Sequence, residues 1–316
     1  MNRLNTPVAF LVFNRPEKTR RVFAAIQAAQ PARLLVIADG PRPGHPTDSR
    51  NCEEVRSIVS NVTWPCQIET NFADENLGCR PRVISGLEWV FSLVEEAIIL
   101  EDDCLPDPSF FPFCAELLAR YRDDARIAMI AGTNPIDGEY SLPSSYYFSR
   151  ISHIWGWATW RSAWARYDQY LEAWPELKAS NLLAQIFDDK VTVRYFSAIF
   201  DAMHAGTGPS AWDYQWSYTN LFQNSLAIVP KKNLVTNIGF GPDSTHTTSN
   251  KYELSFPSSN MSFPLQHPPA VVPMTSLDRL DVMRIYFPSP SIRLYYSAPP
   301  LVQRLIALIH AIRSRN

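Results

Sequence analysis

Three consecutive acidic residues follow a short apolar run in the first half of the sequence. Glu101, Asp102 and Asp103 come directly after residues 97–100, and such a bounded apolar run is typical of a buried strand in a parallel sheet. The acids would then lie at the carboxyl end of the strand, where open α/β sheets bind ligands. Adjacent carboxylates repel one another unless a cation is present, and Mg²⁺ or Mn²⁺ binds through one or two of them. We therefore expect a divalent cation here; a solvated acidic turn is the simpler alternative.

Asp213 is a second candidate for chemistry, because it stands close to Trp212 and Trp216 at the expected start of a helix. A carboxylate placed next to a reacting hydroxyl can remove its proton as a general base. An acidic residue in the first turn of a helix is also stabilised by the helix dipole without any catalytic role. Both interpretations of Asp213 stay open on the sequence alone.

Tryptophan is concentrated in residues 155–164, where four of the nine tryptophans fall within ten residues. Flat aromatic faces can stack on sugar rings while neighbouring polar groups bind the hydroxyls. On this ground Trp157 and Trp160, together with Trp212, are candidates for binding a sugar. The alternative is that these rings belong to the hydrophobic core.

Apolar runs alternate with segments of helical periodicity along the first half of the chain. Asn14 and Arg15 follow the first run, and Asp39 follows the second. This order predicts a doubly wound α/β sheet with right-handed crossovers. The predicted strands are at residues 7–13, 33–38, 66–71, 97–101 and 127–131.

The overall composition limits the classes of function. The formal net charge of −2 over 316 residues gives no argument for nucleic acid as a partner. The five cysteines are odd in number and form no Cys-x-x-Cys pair, so we interpret them as reduced residues of a cytoplasmic protein. The amino terminus lacks the apolar core of a signal peptide, and no apolar run reaches the roughly 18 to 20 residues that span a bilayer.

The chain is expected to divide into a main domain, residues 1–250, and an extension, residues 251–316. Residues 255–290 are rich in proline and serine and are predicted to form an extended strap. The last residues, 300–316, predict an amphipathic helix with leucines and isoleucines on one face and arginines around it. Such a basic amphipathic end can lie on the inner face of a membrane, or it can pack against its own domain or a second subunit.

The motifs of the main domain occur in a characteristic order. They are Asn-Arg-Pro after the first strand, Asp-Gly after the second, Asn-Leu-Gly, Arg-Pro-Arg, Ile-Leu-Glu-Asp-Asp, Ala-Gly-Thr-Asn and Trp-Asp before a helix. This order, over roughly residues 7–246, resembles the GT-A glycosyltransferases of the N-acetylglucosaminyltransferase I type. The resemblance implies a Rossmann-like GT-A domain and an inverting, metal-dependent hexosyl- or N-acetylhexosaminyltransferase. Its donor would be a nucleoside-diphosphate sugar, with UDP expected, and its acceptor a glycan or lipid-linked glycan.

The same resemblance implies roles for individual residues. Asp103 would bind Mn²⁺ or Mg²⁺ at the donor diphosphate, and Asp102 would contact the ribose or the metal shell. His246 is a candidate third metal ligand, as in many GT-A enzymes, although the N-acetylglucosaminyltransferase I type does not need one; the alternative is a loop histidine without a role. Asp213 would be the catalytic base, and the three tryptophans named above would contact the acceptor. Five further residues would hold the nucleotide: Asp39 at the base, Arg82 or Arg80 beside it, and Asn14 and Arg15 near the diphosphate.

Two other classes of protein stay open. A nucleotidyltransferase has the same architecture, but it usually carries a glycine-rich phosphate loop after the first strand, and residues 13–16 contain no glycine. A catalytically silent module that binds a nucleotide sugar would not need both the acidic triplet and Asp213.

Overall fold

The computed structural model describes residues 3–240 and 256–298. In these ranges the chain forms an eight-stranded sheet with helices packed on both faces, and a separate two-stranded ribbon. Six of the eight strands run in the same direction, since two strands account for all the antiparallel pairs of the sheet. The predicted α/β class with a mostly parallel sheet is confirmed, and the architecture is consistent with a Rossmann-like GT-A fold.

The elements are numbered in chain order. The strands are β1 Val8–Val12, β2 Arg33–Ala38, β3 Gln67–Phe72, β4 Glu96–Glu101, β5 Cys104–Pro106, β6 Ile127–Ala131, β7 Tyr146–Ser149, β8 Trp157–Trp160, β9 Leu226–Pro230 and β10 Val235–Asn237. The helices are α1 Pro16–Ala29, α2 Asp48–Ser60, α3 Cys79–Leu93, α4 Phe110–Tyr121, α5 Arg161–Trp164, α6 Trp174–Ala179, α7 Leu183–Ile186, α8 Lys190–His204, α9 Asp213–Phe222, α10 Thr275–Tyr286 and α11 Pro290–Ser297.

The strand order in the large sheet is β3-β2-β1-β4-β8-β6-β9-β7, and the ribbon pairs β10 with β5. β1 is buried along its whole length because it pairs in parallel with β2 on one side and β4 on the other. β8 runs antiparallel between β4 and β6, with Trp157 opposite Ile99 of β4 and Ala131 of β6. The carboxyl ends of the parallel strands and the amino end of β8 therefore meet at one edge of the sheet.

Alternate side chains of the strands pack into two hydrophobic cores, one on each face of the sheet. In β1, Val8, Phe10 and Val12 belong to the core formed with α1, α2 and α4, whereas Ala9 and Leu11 belong to the core formed with α3, α5 and α9. Because both faces are covered, the strands are continuous apolar runs. A shift of one residue in register would exchange the two sets of side chains, so the burial specifies the register.

A third, largely aromatic cluster lies between helices α6 to α9 and the helices α10 and α11. Residues 256–274 contain no helix, but α10 follows them, which corrects the prediction of an extended strap over residues 255–290. This segment is helical because it buries Leu277 against one face of the sheet and Val282 in the aromatic cluster. The burial of these apolar side chains stabilises the helix even though the surrounding sequence is rich in proline and serine.

Three predictions fall on residues outside the described ranges. These are the metal ligand His246, the domain boundary at residue 250, and the amphipathic helix with its membrane contact at residues 300–316. Of the helices in residues 3–240 and 256–298, none is long and apolar enough to cross a membrane.

The buried carboxylate of Asp278 connects α10 to β7 of the sheet through hydrogen bonds. Asp278 accepts hydrogen bonds from Ser149 Oγ at 2.6 Å and from the Arg150 backbone N–H at 3.3 Å. Burial raises the pKa of Asp278 to about 6, although these two hydrogen bonds oppose the shift. The folded protein therefore retains a proton on this carboxyl in a pH range where the unfolded chain, with its ordinary pKa of about 3.9, releases it.

We predict that Asp278→Asn changes the pH dependence of stability. The contribution of Asp278 is most favourable below a pH of about 4 and declines by roughly 2 to 3 kcal/mol as the pH rises through about 6. The asparagine variant lacks this ionisation, so the free energy of unfolding of the wild type should fall relative to that of the variant as the pH rises. Urea unfolding of both proteins across this range measures the difference, and parallel curves would contradict the assignment.

Candidate functional site

Three loops meet at the carboxyl edge of the parallel strands. The register pairs Leu11 of β1 with Glu101 of β4, and Val12 of β1 with Ala38 of β2. The residues that follow these pairs, in the loops after β1, β2 and β4, are therefore neighbours in space. This is the position at which an open α/β sheet binds its ligands.

Arg15 joins the loop after β1 to the acidic triplet. Its guanidinium forms ion pairs with Asp102 Oδ1 and, at 2.9 Å, with Asp103 Oδ2. The Asp102 side chain is only 2% exposed, whereas that of Asp103 is 15% exposed. Burial alone would lower the pKa of Arg15, but the charges of Asp102 and Asp103 outweigh this effect and raise that pKa. Arg15 is thus a permanent cation that balances much of the charge of the pair.

The surroundings of Glu101 favour its protonated form. Desolvation, followed by the charges of Asp103 and Asp102, raises the pKa of Glu101 to about 8. At neutral pH this carboxyl is therefore mainly protonated. The repulsion expected from three ionised acids is reduced in two ways, because one acid carries a proton and the other two share Arg15.

Asp102 and Asp103 supply hard oxygen ligands, but not a complete metal site. In the part of the chain that the structure describes, no group of three or more His, Cys, Asp or Glu side chains is arranged to hold a metal ion. Mg²⁺ commonly uses one or two carboxylates and completes its coordination with water and substrate phosphates. The backbone of Gly239 lies against Asp103, and a methyl group added there would overlap Oδ2. The described residues thus offer two carboxylates, fewer ligands than a divalent cation needs on its own.

Asp39 holds the turn that precedes α3. Its carboxylate accepts hydrogen bonds from the backbone N–H groups of Leu77 at 2.9 Å and Gly78 at 3.0 Å, and from Asn76 Nδ2 at 3.0 Å. Gly78 has a φ of 82°, which glycine adopts without strain. The Asp-Gly and Asn-Leu-Gly motifs are thus parts of one structure, and a contact of Asp39 with a nucleobase stays a prediction.

The two candidate arginines of α3 differ in exposure. Arg82 is 6% exposed and donates hydrogen bonds to the Ala38 carbonyl at 3.1 Å and to Asn71 Oδ1 at 2.7 Å. It therefore ties together the ends of β2 and β3. Arg80 is partly exposed in the first turn of α3, where its charge acts on Tyr167. Of the two, Arg80 has the side chain that a ligand can reach.

Asn14 connects the loop after β1 to the start of α2. Its Nδ2 donates a hydrogen bond to Asp48 Oδ1 at 2.7 Å, and Arg42 Nε donates to Asp48 Oδ2 at 2.6 Å. The hydrogen bond from Arg42 is the main cause that holds the pKa of Asp48 well below its usual range. These contacts fix the position of the loops that would border a nucleotide.

The three tryptophans predicted to bind an acceptor are buried in the cores. Trp157 is 0%, Trp160 4% and Trp212 3% exposed. Trp157 stacks on Trp212 with ring centroids 5.5 Å apart, while Trp160 packs on the opposite face of the sheet. Because other side chains cover these rings, they stabilise the sheet and present no face to a ligand, which corrects the prediction.

Asp213 begins α9 beside the same edge of the sheet. Burial, followed by the charges of Glu101, Asp213 and Asp103, raises the pKa of the Cys79 thiol to about 12. The charges of carboxylates more than 100 residues apart in the sequence thus act on one thiol. Asp213 also lines a cavity of about 880 Å³ between the sheet edge and the helices α8, α10 and α11.

Trp155, which the sequence pattern did not single out, lines this cavity with part of its ring exposed. Because β8 runs antiparallel to β4, the loop before β8, which contains Trp155, lies at the carboxyl edge of the parallel strands. Gly156 has a φ of 66°, so the chain turns between Trp155 and the buried strand β8. Gly156, between the two tryptophans, is therefore the feature of the sequence that distinguishes Trp155 at the sheet edge from Trp157 in the core.

Comparison with solved structures gives partial matches. A mannosyltransferase from Pyrobaculum calidifontis, in complex with GDP-Man and Mn²⁺, is 13% identical and has a TM-score of 0.36. The match covers 51% of this chain and 46% of the mannosyltransferase, so it spans less than half of that protein. A 4-diphosphocytidyl-2C-methyl-D-erythritol synthase from Anaerococcus prevotii is 7% identical, with a TM-score of 0.34, and the match covers 53% of this chain and 77% of that one.

Matches with TM-scores this low do not assign a function to the chain. No protein-family model matches the sequence, and no curated protein matches it.

Removal of Arg15 tests the charge balance at the site. We predict that Arg15→Met lowers the free energy of unfolding by about 3 kcal/mol, because Asp102 and Asp103 lose their cation. Millimolar Mn²⁺ should restore part of this loss, since the same carboxylates can bind it. Urea unfolding with and without Mn²⁺ measures both effects.

The matched control for this experiment is Arg20→Met, which removes an ion pair between Arg20 and Glu54 in which Arg20 is 48% exposed. It should change the stability by less than about 1 kcal/mol and show no response to Mn²⁺. An Arg15 variant as stable as the wild type would contradict the ion-pair account. A destabilised variant that Mn²⁺ leaves unchanged would argue against a cation site at these aspartates.

Proposed function

We propose that this protein is a metal-dependent glycosyltransferase that transfers a sugar from a nucleoside-diphosphate donor to a glycan or lipid-linked glycan with inversion of configuration. UDP is the first nucleotide to test. The observation that supports the proposal best is the meeting of Arg15, Asp102 and Asp103 at the carboxyl edge of the sheet, with Asp213 in the adjoining cavity. Transfer of this kind needs one charged site for a diphosphate and a separate carboxylate for a hydroxyl.

The donor half of the site would stabilise the leaving diphosphate. A Mn²⁺ or Mg²⁺ ion held by Asp103, with Asp102 beside it, would supply Lewis-acid stabilisation of the charge that develops there. Arg15 is held at the same carboxylates, so its guanidinium can donate charge-assisted hydrogen bonds to a phosphate oxygen. Asp39 and Arg82 contribute by holding the turn and the strand ends that border the nucleotide.

The acceptor half of the site would remove a proton. A carboxylate oxygen of Asp213 accepts the proton of the acceptor hydroxyl while the hydroxyl oxygen forms the new bond to the anomeric carbon. The electron pair of the broken bond leaves with the diphosphate. Because the attack comes from the opposite face, an α-linked donor gives a β-linked product, through an oxocarbenium-like transition state as in glycoside hydrolysis.

We predict that Asp103→Asn keeps the fold but loses most metal-dependent nucleotide binding, and that transfer slows roughly a thousandfold. A screen of nucleotide sugars for Mn²⁺-dependent release of the nucleoside diphosphate identifies the donor, and calorimetry with that nucleotide compares the variants. Asp123→Asn is the matched control, because Asp123 is an exposed aspartate between α4 and β6, at the opposite edge of the sheet. Unchanged nucleotide affinity in Asp103→Asn would exclude Asp103 as a metal ligand.

Asp213→Asn tests the proposed base, because asparagine has nearly the same size and shape as aspartate. Donor and metal should bind with close to wild-type affinity, while transfer should fall about 10² to 10⁴-fold through loss of the general base. NMR of the product gives an independent check, since the mechanism requires inversion at the anomeric carbon. Retained configuration, or wild-type transfer by the variant, would rule out Asp213 as the base; donor binding without any turnover by the wild type would indicate a silent binding module.

A further inference from the structure

The cavity beside Asp213 is bounded by aromatic and aliphatic side chains from several elements. Trp155 comes from the loop before β8, Tyr195 from α8, and Leu294 and Tyr295 from α11. At about 880 Å³ the cavity lies in the upper part of the range of small-molecule sites, about 300 to 1,000 Å³. Flat rings with polar edges form a wall on which the C–H faces of sugar rings can stack.

The charges on the cavity wall are few. Among the lining residues that the structure describes there is no lysine or arginine, and the acidic residue is Asp213. A phosphate or carboxylate bound in the cavity would find no lysine or arginine among these residues, and His153 is already paired with the buried Asp281. Arg15, which can bind an anion, lies instead at the donor carboxylates. The fold thus separates a site for a charged ligand from a site for an uncharged one.

The polar groups of the cavity suit hydroxyl ligands. Ser152 contributes a hydroxyl group that accepts a hydrogen bond from Asn220 and can still donate one. The Thr133 hydroxyl is buried and donates to the Trp155 carbonyl at 2.8 Å, and His153 contacts α10. His153 Nε2 donates a hydrogen bond to Asp281 Oδ2 at 2.6 Å, which orients the ring.

We propose that this cavity binds an uncharged saccharide as the acceptor, with its rings stacked on Trp155 and Tyr295 and its reacting hydroxyl at Asp213. The reaction at Asp213 rests on the proposed function, whereas the binding of the saccharide does not. Sugars with a carboxylate or phosphate on the bound rings are excluded. In a lipid-linked acceptor, the phosphate group lies outside the cavity and only neutral sugars enter it.

The test is a binding measurement without donor. A panel of neutral di- to tetrasaccharides, and the same compounds with a uronic acid replacing one hexose, is screened by saturation-transfer NMR, and the ligands found are titrated by calorimetry. We expect neutral members to bind, and Trp155→Ala and Tyr295→Ala each to weaken that binding about tenfold. The affinity for the nucleoside diphosphate should not change. Tyr170→Ala, at an aromatic residue 67% exposed and outside the cavity, is the matched control.

Two variants are needed because Trp155 also contacts Phe240 and Phe256, so its removal can disturb the fold. Tyr295 lies on the short surface helix α11, so Tyr295→Ala gives a second, independent measurement of saccharide affinity. Failure of every neutral saccharide to bind, equal binding of the acidic compounds, or wild-type affinity in Tyr295→Ala would overturn the inference. Absence of donor turnover would overturn the proposed function instead, since saccharide binding is read without the donor.

Discussion

The ion pair of Arg15 with Asp102 and Asp103 is the interaction on which the arrangement of the site depends. Buried carboxylates cost several kcal/mol each unless a partner compensates them, and Arg15 provides that partner from the neighbouring strand end. Arg15 directly precedes α1, which starts at Pro16, so the loop after β1 contains only residues 13–15. This loop contains no glycine, so its backbone N–H groups do not form a phosphate-binding loop. The group in the loop that can bind an anion is the side chain of Arg15.

The antiparallel strand β8 explains how the second half of the site is assembled. Because β8 runs antiparallel to β4, the loop before β8 brings Trp155 to the carboxyl edge of the parallel strands. The backbone at Gly132 lies close to the backbone at Gly156 because glycine has no side chain. A Cβ atom at Gly132 would collide with Val235 and would lie 2.7 Å from the Gly156 carbonyl oxygen. Asp213 reaches the same edge from α9, and α10 and α11 close the opposite wall of the cavity. Two sites of different polarity thus lie side by side.

The sheet could be predicted where burial on both faces leaves a continuous apolar run. β2 and β6 have the predicted limits for this reason. β8 is only four residues long, and both of its tryptophan rings are buried in cores. The sequence of so short a strand does not show this burial. Whether a tryptophan faces a core or a cavity depends on what packs above it, so the sequence selected Trp157 and Trp160 and overlooked Trp155. The turn held by Asp39 likewise requires knowledge of which loop lies next to it.

Under the proposed function, the carboxylate pair binds a metal ion only together with a diphosphate, because two side chains supply too few ligands alone. The most direct measurement is the affinity of the wild-type protein for a nucleoside diphosphate, determined by calorimetry with Mn²⁺ and again with a chelator. By linkage, a cation bound by both partners must strengthen nucleotide binding. We expect the dissociation constant to be at least about a hundredfold lower with Mn²⁺. Equal affinities under the two conditions would contradict a metal-bridged donor site at Asp102 and Asp103.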